Sequence, residues 1–187
     1  ISEMIHSAED GHLVMTTAPF LEAEVRVPDG GQEKAFISGE DVQLGGSRGK
    51  LWIRVQCANW FDVNRVQVFA NGRPLEGMNF TRRTHPGKFH ADAVRFELEV
   101  ELPEFAEDTH LIVATIGEGL KLGPVMGPER GELPPVAGSN SVFLDGGGRG
   151  VSAHWGEFGL AVRVPQTPRL GAGRALCLLG LLQSTTS

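Results

Sequence analysis

Val94-Arg95-Phe96-Glu97-Leu98-Glu99-Val100-Glu101-Leu102 is the stretch that decides the fold of this chain. Apolar and charged residues alternate through it. In an extended strand, successive side chains leave opposite faces, so this segment predicts one face on a core and one charged face in water. A helix would scatter the same residues around its circumference.

Working outward, the same period recurs. Leu21-Glu22-Ala23-Glu24-Val25-Arg26-Val27 alternates and runs into the turn Pro28-Asp29-Gly30-Gly31. Lys50 to Cys57 sends Leu51, Ile53, Val55 and Cys57 to one side, and Trp52, Arg54 and Gln56 to the other. Arg65 to Ala70 meets Asn71-Gly72, a pair that tolerates the positive φ of a tight hairpin, and Pro74 then marks an edge or the strand's limit. Leu111 to Ile116 is continuously apolar, as a strand buried on both faces would be. Val42 with Leu44, Val142-Phe143-Leu144, and Phe158 to Val164 are shorter strand candidates, and Ser2 to Glu9 fits a short helix. Gly117 to Gly138 is rich in Gly and Pro and reads as a long loop.

Such short strands separated by turns predict an all-β, mostly antiparallel β-sandwich of immunoglobulin-like size. The expected organisation is a lead-in segment over 1–20, the sandwich over 21–164, and a linker with an irregular C-terminal tail over 165–187.

Composition agrees. Glycine fills 25 of 187 positions, nearly twice the usual share of about 7%, and together with 11 prolines it favours turns over long helices. A formal charge of −6 with scattered cations argues against a nucleic-acid partner. The apolar run Ala175 to Leu182 is far shorter than the roughly 20 residues of a membrane span. A soluble domain without a membrane partner is therefore expected. Cys57 sits in an alternating run as a buried free thiol would, and Cys177 lies far from it in sequence. No signal peptide is visible, the location in the cell stays open, and the start at Ile1 suggests a fragment or processed product.

Candidate chemistry is sparse. His85 and His90 flank a Pro-Gly turn with Asp92 beyond, and the three could converge on a metal from opposite arms of a hairpin. No HxH, HxxxH or CxxC spacing supports them, and surface histidines in a polar loop account for the pattern better. Asp145-Gly146-Gly147-Gly148-Arg149-Gly150 offers a single carboxylate, too few for calcium. There is no GxSxG elbow around Ser139 or Ser141. Trp52, on the outer side of its strand, and Trp60 could form a sugar-stacking platform, or pack against a loop or a neighbouring domain.

Four stretches carry a resemblance. Asp10 to Leu21, with Gly11, Thr16, Pro19 and Leu21, is similar to a "G-R-x-x-x-T-x-G-P-x-L" segment. Val55 to Gly72, with Val55, Trp60, Val66, Val68 and Asn71-Gly72, is similar to "V-x-A-P-x-W-x-x-I-D-x-V-x-V-x-x-N-G". Asp108 to Gly117 resembles "D-x-x-x-V-V-x-A-x-G", and Pro134 to Leu144 resembles a closing "P-x-A-x-S/T-N-P-I-F-V-D". Together they resemble the region following the catalytic domain in metal-dependent hydrolases of the PHP superfamily, in the carbaryl and methylcarbamate hydrolase group. The chain departs from that pattern at His12, Ala18, Asn59 and Ser141.

The resemblance implies a non-catalytic accessory domain that packs against a catalytic domain of the same parent protein or mediates a homo-oligomer. The divalent metal and its ligands would lie upstream, so this chain alone is expected to hold no cofactor and no catalytic residue. Trp52, Trp60, Asp62 and Arg65 are the contact candidates. Two alternatives stand beside this reading. One is a carbohydrate-binding or adhesion-type module using the exposed aromatics. The other is a small metal-dependent hydrolase using His85, His90 and Asp92.

Overall fold

The computed structural model describes residues 2–46 and 48–146. The strand candidate at Phe158 to Val164, the tail over 165–187 and Cys177 lie outside the described residues. Within them the chain folds as two antiparallel sheets facing one another across an apolar core, an all-β sandwich preceded by helix α1 (Ser2–Glu9).

The first sheet is built on β9 (Thr109–Ile116). One edge of β9 pairs along its length with β6 (Arg65–Ala70), from Arg65 opposite Ile116 to Ala70 opposite Leu111. Its other edge is shared end to end by β10 (Val136–Ser139) and β11 (Val142–Asp145). Beyond β6 lies β7 (Arg73–Thr81); beyond β10 lies β1 (Val14–Thr16); beyond β11 lies β4 (Asp41–Gln43), which runs parallel to it. Where β10 gives way to β11, the buried hydroxyl Oγ of Ser139 accepts a hydrogen bond from Val113 N at 3.0 Å, filling the gap in the ladder. Ser139 thus has a structural task.

The second sheet has the order β3 (Gln32–Phe36), β2 (Phe20–Asp29), β5 (Lys50–Gln56), β8 (Val94–Glu101). Leu21, Val25 and Val27 of β2, Leu51, Ile53 and Val55 of β5, and Phe96 of β8 pack inward against Val66, Val68, Leu111, Val113 and Leu144 of the first sheet. The alternation read from sequence is the alternation of burial here.

Both tight hairpins follow from backbone freedom. Asn71 and Gly72 have φ of 49° and 73°, closing β6 onto β7, and Gly30 and Gly31 at 58° and 92° close β2 onto β3. Pro74 lies in β7, an edge strand paired only with β6, where its missing N–H costs no ladder bond.

Three elements differ from the sequence reading. The segment over 1–20 contributes a strand, β1. The Gly/Pro stretch 117–138 contains a helical turn at Gly127–Arg130 and most of β10. The polar segment Gln32–Phe36 is a strand because it is an outer one, needing only a partner on one side.

Candidate functional site

At one end of the sandwich, the register of β8 against β5 slips. Val55 faces Phe96 but Gln56 faces Val94, which leaves Arg95 as the extra residue of a β-bulge. The bulge re-aims its side chain. The strict alternation predicts Arg95 on the charged outer face with Glu97 and Glu99; instead it is 6% exposed. Its guanidinium donates to the carbonyl oxygens of Ala91 and Asp92, and to that of Ala58 at 3.3 Å. Arg95 thereby ties the Ala91-Asp92 segment to the chain at Ala58.

Asp62 supplies the counter-charge. Its Oδ1 accepts from Val63 N at 2.8 Å and lies 3.3 Å from Arg95 Nε, while its Oδ2 lies 2.8 Å from Arg82 Nη2. Arg82 also donates to Val63 O at 3.2 Å, and its guanidinium sits 5.6 Å from the centre of the Phe89 ring. Two guanidiniums therefore share one carboxylate, and Nε of each is buried without an aligned hydrogen-bond acceptor. Cys57 lies beside this group. Burial pushes its thiol up to about 12, against the opposing pull of Arg95, so it is a poor nucleophile.

Above the cluster is an open cavity of about 300 Å³, lined by Asn59, Trp60, Phe61, Asp62, Arg95, Leu120 and Lys121. Trp60 is 48% exposed and meets Phe61 edge to face with ring centres 6.2 Å apart. Lys121 pairs with Glu132 at the surface. The loop that leads to Leu120 and Lys121 is held by a two-way amide clamp: Asn64 Nδ2 donates to Glu118 O at 2.9 Å, and Glu118 N donates to Asn64 Oδ1 at 2.8 Å. Gly117 is needed beside it, since a Cβ there would stand 2.6 Å from Asp62 O.

The other candidates are placed apart. Arg65 pairs with Glu118 at 2.7 Å and so braces the same loop from the side of β6. Trp52 lies on the outer face of the second sheet, where Arg26 covers its ring at 4.8 Å and its Nε1 donates to Glu97 Oε1 at 3.3 Å. Its ring face is occupied, and it does not share a platform with Trp60. His85, His90 and Asp92, which could have converged on a metal, are not brought together as a metal site: no group of three His, Cys, Asp or Glu placed to hold a metal ion occurs among the described residues. The Pro86–Lys88 segment winds into a 3-10 turn, and the chain after it bridges back to β8 through Phe89 and Phe96, so no hairpin with facing arms forms there. His85 packs its ring 5.3 Å from that of Phe80, and its Nδ1 hydrogen-bonds with Thr84 Oγ1 at 2.8 Å.

A second surface stands out by what it lacks. On β6, β9 and β10, and over Val142 to Leu144 of β11, burial alternates, and the side chains that alternate with the core point outward: Arg65, Gln67 and Phe69; His110, Ile112, Ala114 and Ile116; Val136 and Phe143. Arg65, at one end, is the one Lys, Arg, Asp or Glu among these; Asp145, which follows Phe143 on the same side of β11, is buried. On the second sheet the corresponding face carries an ordered lattice of charge. Arg26 contacts Glu24 at 3.0 Å and Glu99 at 2.9 Å, and Lys50 contacts Glu33 at 2.8 Å and Glu99 at 3.2 Å. The hydrogen bond from Lys50 and the nearby Arg26 hold the Glu99 carboxyl below its ordinary range.

Compared with protein-family models, with curated proteins and with solved structures, the chain has no significant match. The four stretches that carry the resemblance do meet in space. Thr17 Oγ1 accepts from Val136 N at 2.9 Å, Gly117 N donates to Pro135 O at 2.8 Å, and Asn64 N donates to Ile116 O at 3.0 Å.

Proposed function

We propose that this chain is a non-catalytic β-sandwich domain that packs against another part of a larger protein, as the resemblance to the accessory region of PHP-type hydrolases implies. The observation that carries this reading is the outer face of the first sheet. An antiparallel sheet with one side in water normally alternates apolar inside with polar outside. Here Phe69, Ile112, Ala114, Ile116, Val136 and Phe143 form the outer side as well, each only half-buried. Covering such a face removes apolar area from water, at about 25 cal/mol per Å². The continuous apolar run Leu111 to Ile116 makes sense in those terms: one half of it serves the core and the other half serves a partner.

Two assays test the proposal on the purified chain. An apolar dye that fluoresces on exposed hydrophobic surface is expected to bind, and to be lost in Ile112→Lys. A panel of carbamate, carboxylate and phosphate esters with added manganese or zinc is expected to show no turnover. Turnover abolished by His85→Ala, or absence of dye binding, would overturn the reading.

A further inference from the structure

We propose that the Trp60 cavity binds a sugar bearing a carboxylate, with the ring against Trp60 and the acid group toward Arg95 and Lys121. This goes beyond packing of the first sheet, because the cavity lies at the end of the sandwich and its lining comes from other residues. Three observations carry it.

Charge comes first. The cavity wall holds Arg95, Lys121 and Asp62, and Arg82 stands behind Asp62 at 2.8 Å. Lys121 is balanced by Glu132, but Arg82 and Arg95 have one carboxylate between them. The cluster therefore keeps one positive charge in excess. Arg95 is 8% exposed at its side chain, and in such surroundings an added anion interacts more strongly than it would in water.

Shape comes second. A cavity of about 300 Å³ is at the small end of ligand sites, enough for one or two sugar rings and not for an extended chain. Trp60 presents roughly half its surface, while Phe61 meets it edge on. An aromatic plate of this kind stacks on the C–H face of a pyranose.

The rim comes third. Around the plate sit the amide of Asn59 and the ammonium of Lys121, groups suited to hydroxyl and carboxylate oxygens, with Leu120 as the one further exposed apolar side chain. A peptide would call for several apolar pockets or a free strand edge, and neither lines the cavity.

The test is a titration of the whole chain with digalacturonate and with the neutral disaccharide maltose, followed by tryptophan fluorescence and calorimetry. The acidic sugar is expected to bind saturably, and more weakly as salt is raised. Trp60→Ala should abolish binding while Trp52→Ala leaves it. Arg95 variants risk unfolding, so Lys121→Met is the informative charge change; it should weaken binding about tenfold with the circular dichroism spectrum unchanged. Equal affinity for the neutral sugar, retention of binding in Trp60→Ala, or no response to the acidic sugar would overturn the proposal. So would binding of an acidic peptide in place of the sugar. None of these outcomes bears on dye binding at Ile112, so the two proposals fail separately.

Discussion

The outer face of the second sheet carries Glu22, Glu24, Arg26, Lys50, Arg54, Glu97, Glu99 and Glu101, cross-linked by ion pairs in register. The central strands of the first sheet present Phe69, Ile112, Ala114, Ile116, Val136 and Phe143 in the equivalent position. Both sheets bury the same kind of inner face, so the core does not distinguish them. One sheet turns charge to water where the other turns mostly apolar side chains outward. Charges on the second sheet make self-pairing costly, since two acidic faces repel, whereas the central strands of the first sheet carry few charges and the exposed Arg73, Glu76 and Asp41 lie on its outer strands β7 and β4.

Arg95 stands at the point where these rules meet. It belongs by sequence to the charged face, and the bulge carries it inside. Substitutions that probe this contrast are expected to rank as follows. Phe96→Ala, in the shared core where Phe96 is fully buried and touches Phe80 and Phe89, should cost about 3–5 kcal/mol by urea unfolding. Asp62→Ala should cost about 2–3 kcal/mol, because the buried Arg95 keeps its carbonyl acceptors but loses its counter-charge. A loss near zero would mean that the carbonyls alone hold Arg95.

Smaller effects sharpen the outer-face comparison. Glu99→Gln should lower stability slightly at neutral pH and flatten its acid dependence by the same small amount, so that the two chains converge in acid. The folded-state shift of Glu99 is downward, so its contribution is present above the ordinary value of 4.5 and is lost as pH falls through the lowered one. Cys57 should resist alkylation in the folded chain and react on unfolding, as mapped by peptide mass spectrometry. With its thiol raised to about 12, any stability it lends is present below its ordinary value of 9.0 and fades as pH climbs toward 12.

Much of the fold was legible because burial has period two. Leu51, Ile53 and Val55, or Val66 and Val68, announce their face directly, and Asn71-Gly72 announces its turn. What escaped lacks that signal. Gln32–Phe36 has no apolar alternation, and Val136–Ser139 is short and set among glycines and prolines. The site was half visible: Trp60 and Asp62 stood out, but their partners Arg82 and Arg95 did not. A bulge leaves the pattern of residue types intact while shifting which face each one takes, so Arg95 reads as a surface cation. The only hint is that it is the single cation among the alternating glutamates of its strand. Trp52 failed as a platform for a related reason, since Arg26 reaches it across the strand pair from 26 residues away in sequence.

The claim that the first sheet's outer face is a packing surface is tested most directly by placing the same lysine on each sheet. Sedimentation velocity would be run over a concentration series on the chain, on Ile112→Lys and on Gln56→Lys. The account predicts that association at high concentration is kept by Gln56→Lys and lost in Ile112→Lys, because the apolar face is the adhesive one. Association that Ile112→Lys leaves intact, or that Gln56→Lys abolishes, would contradict it.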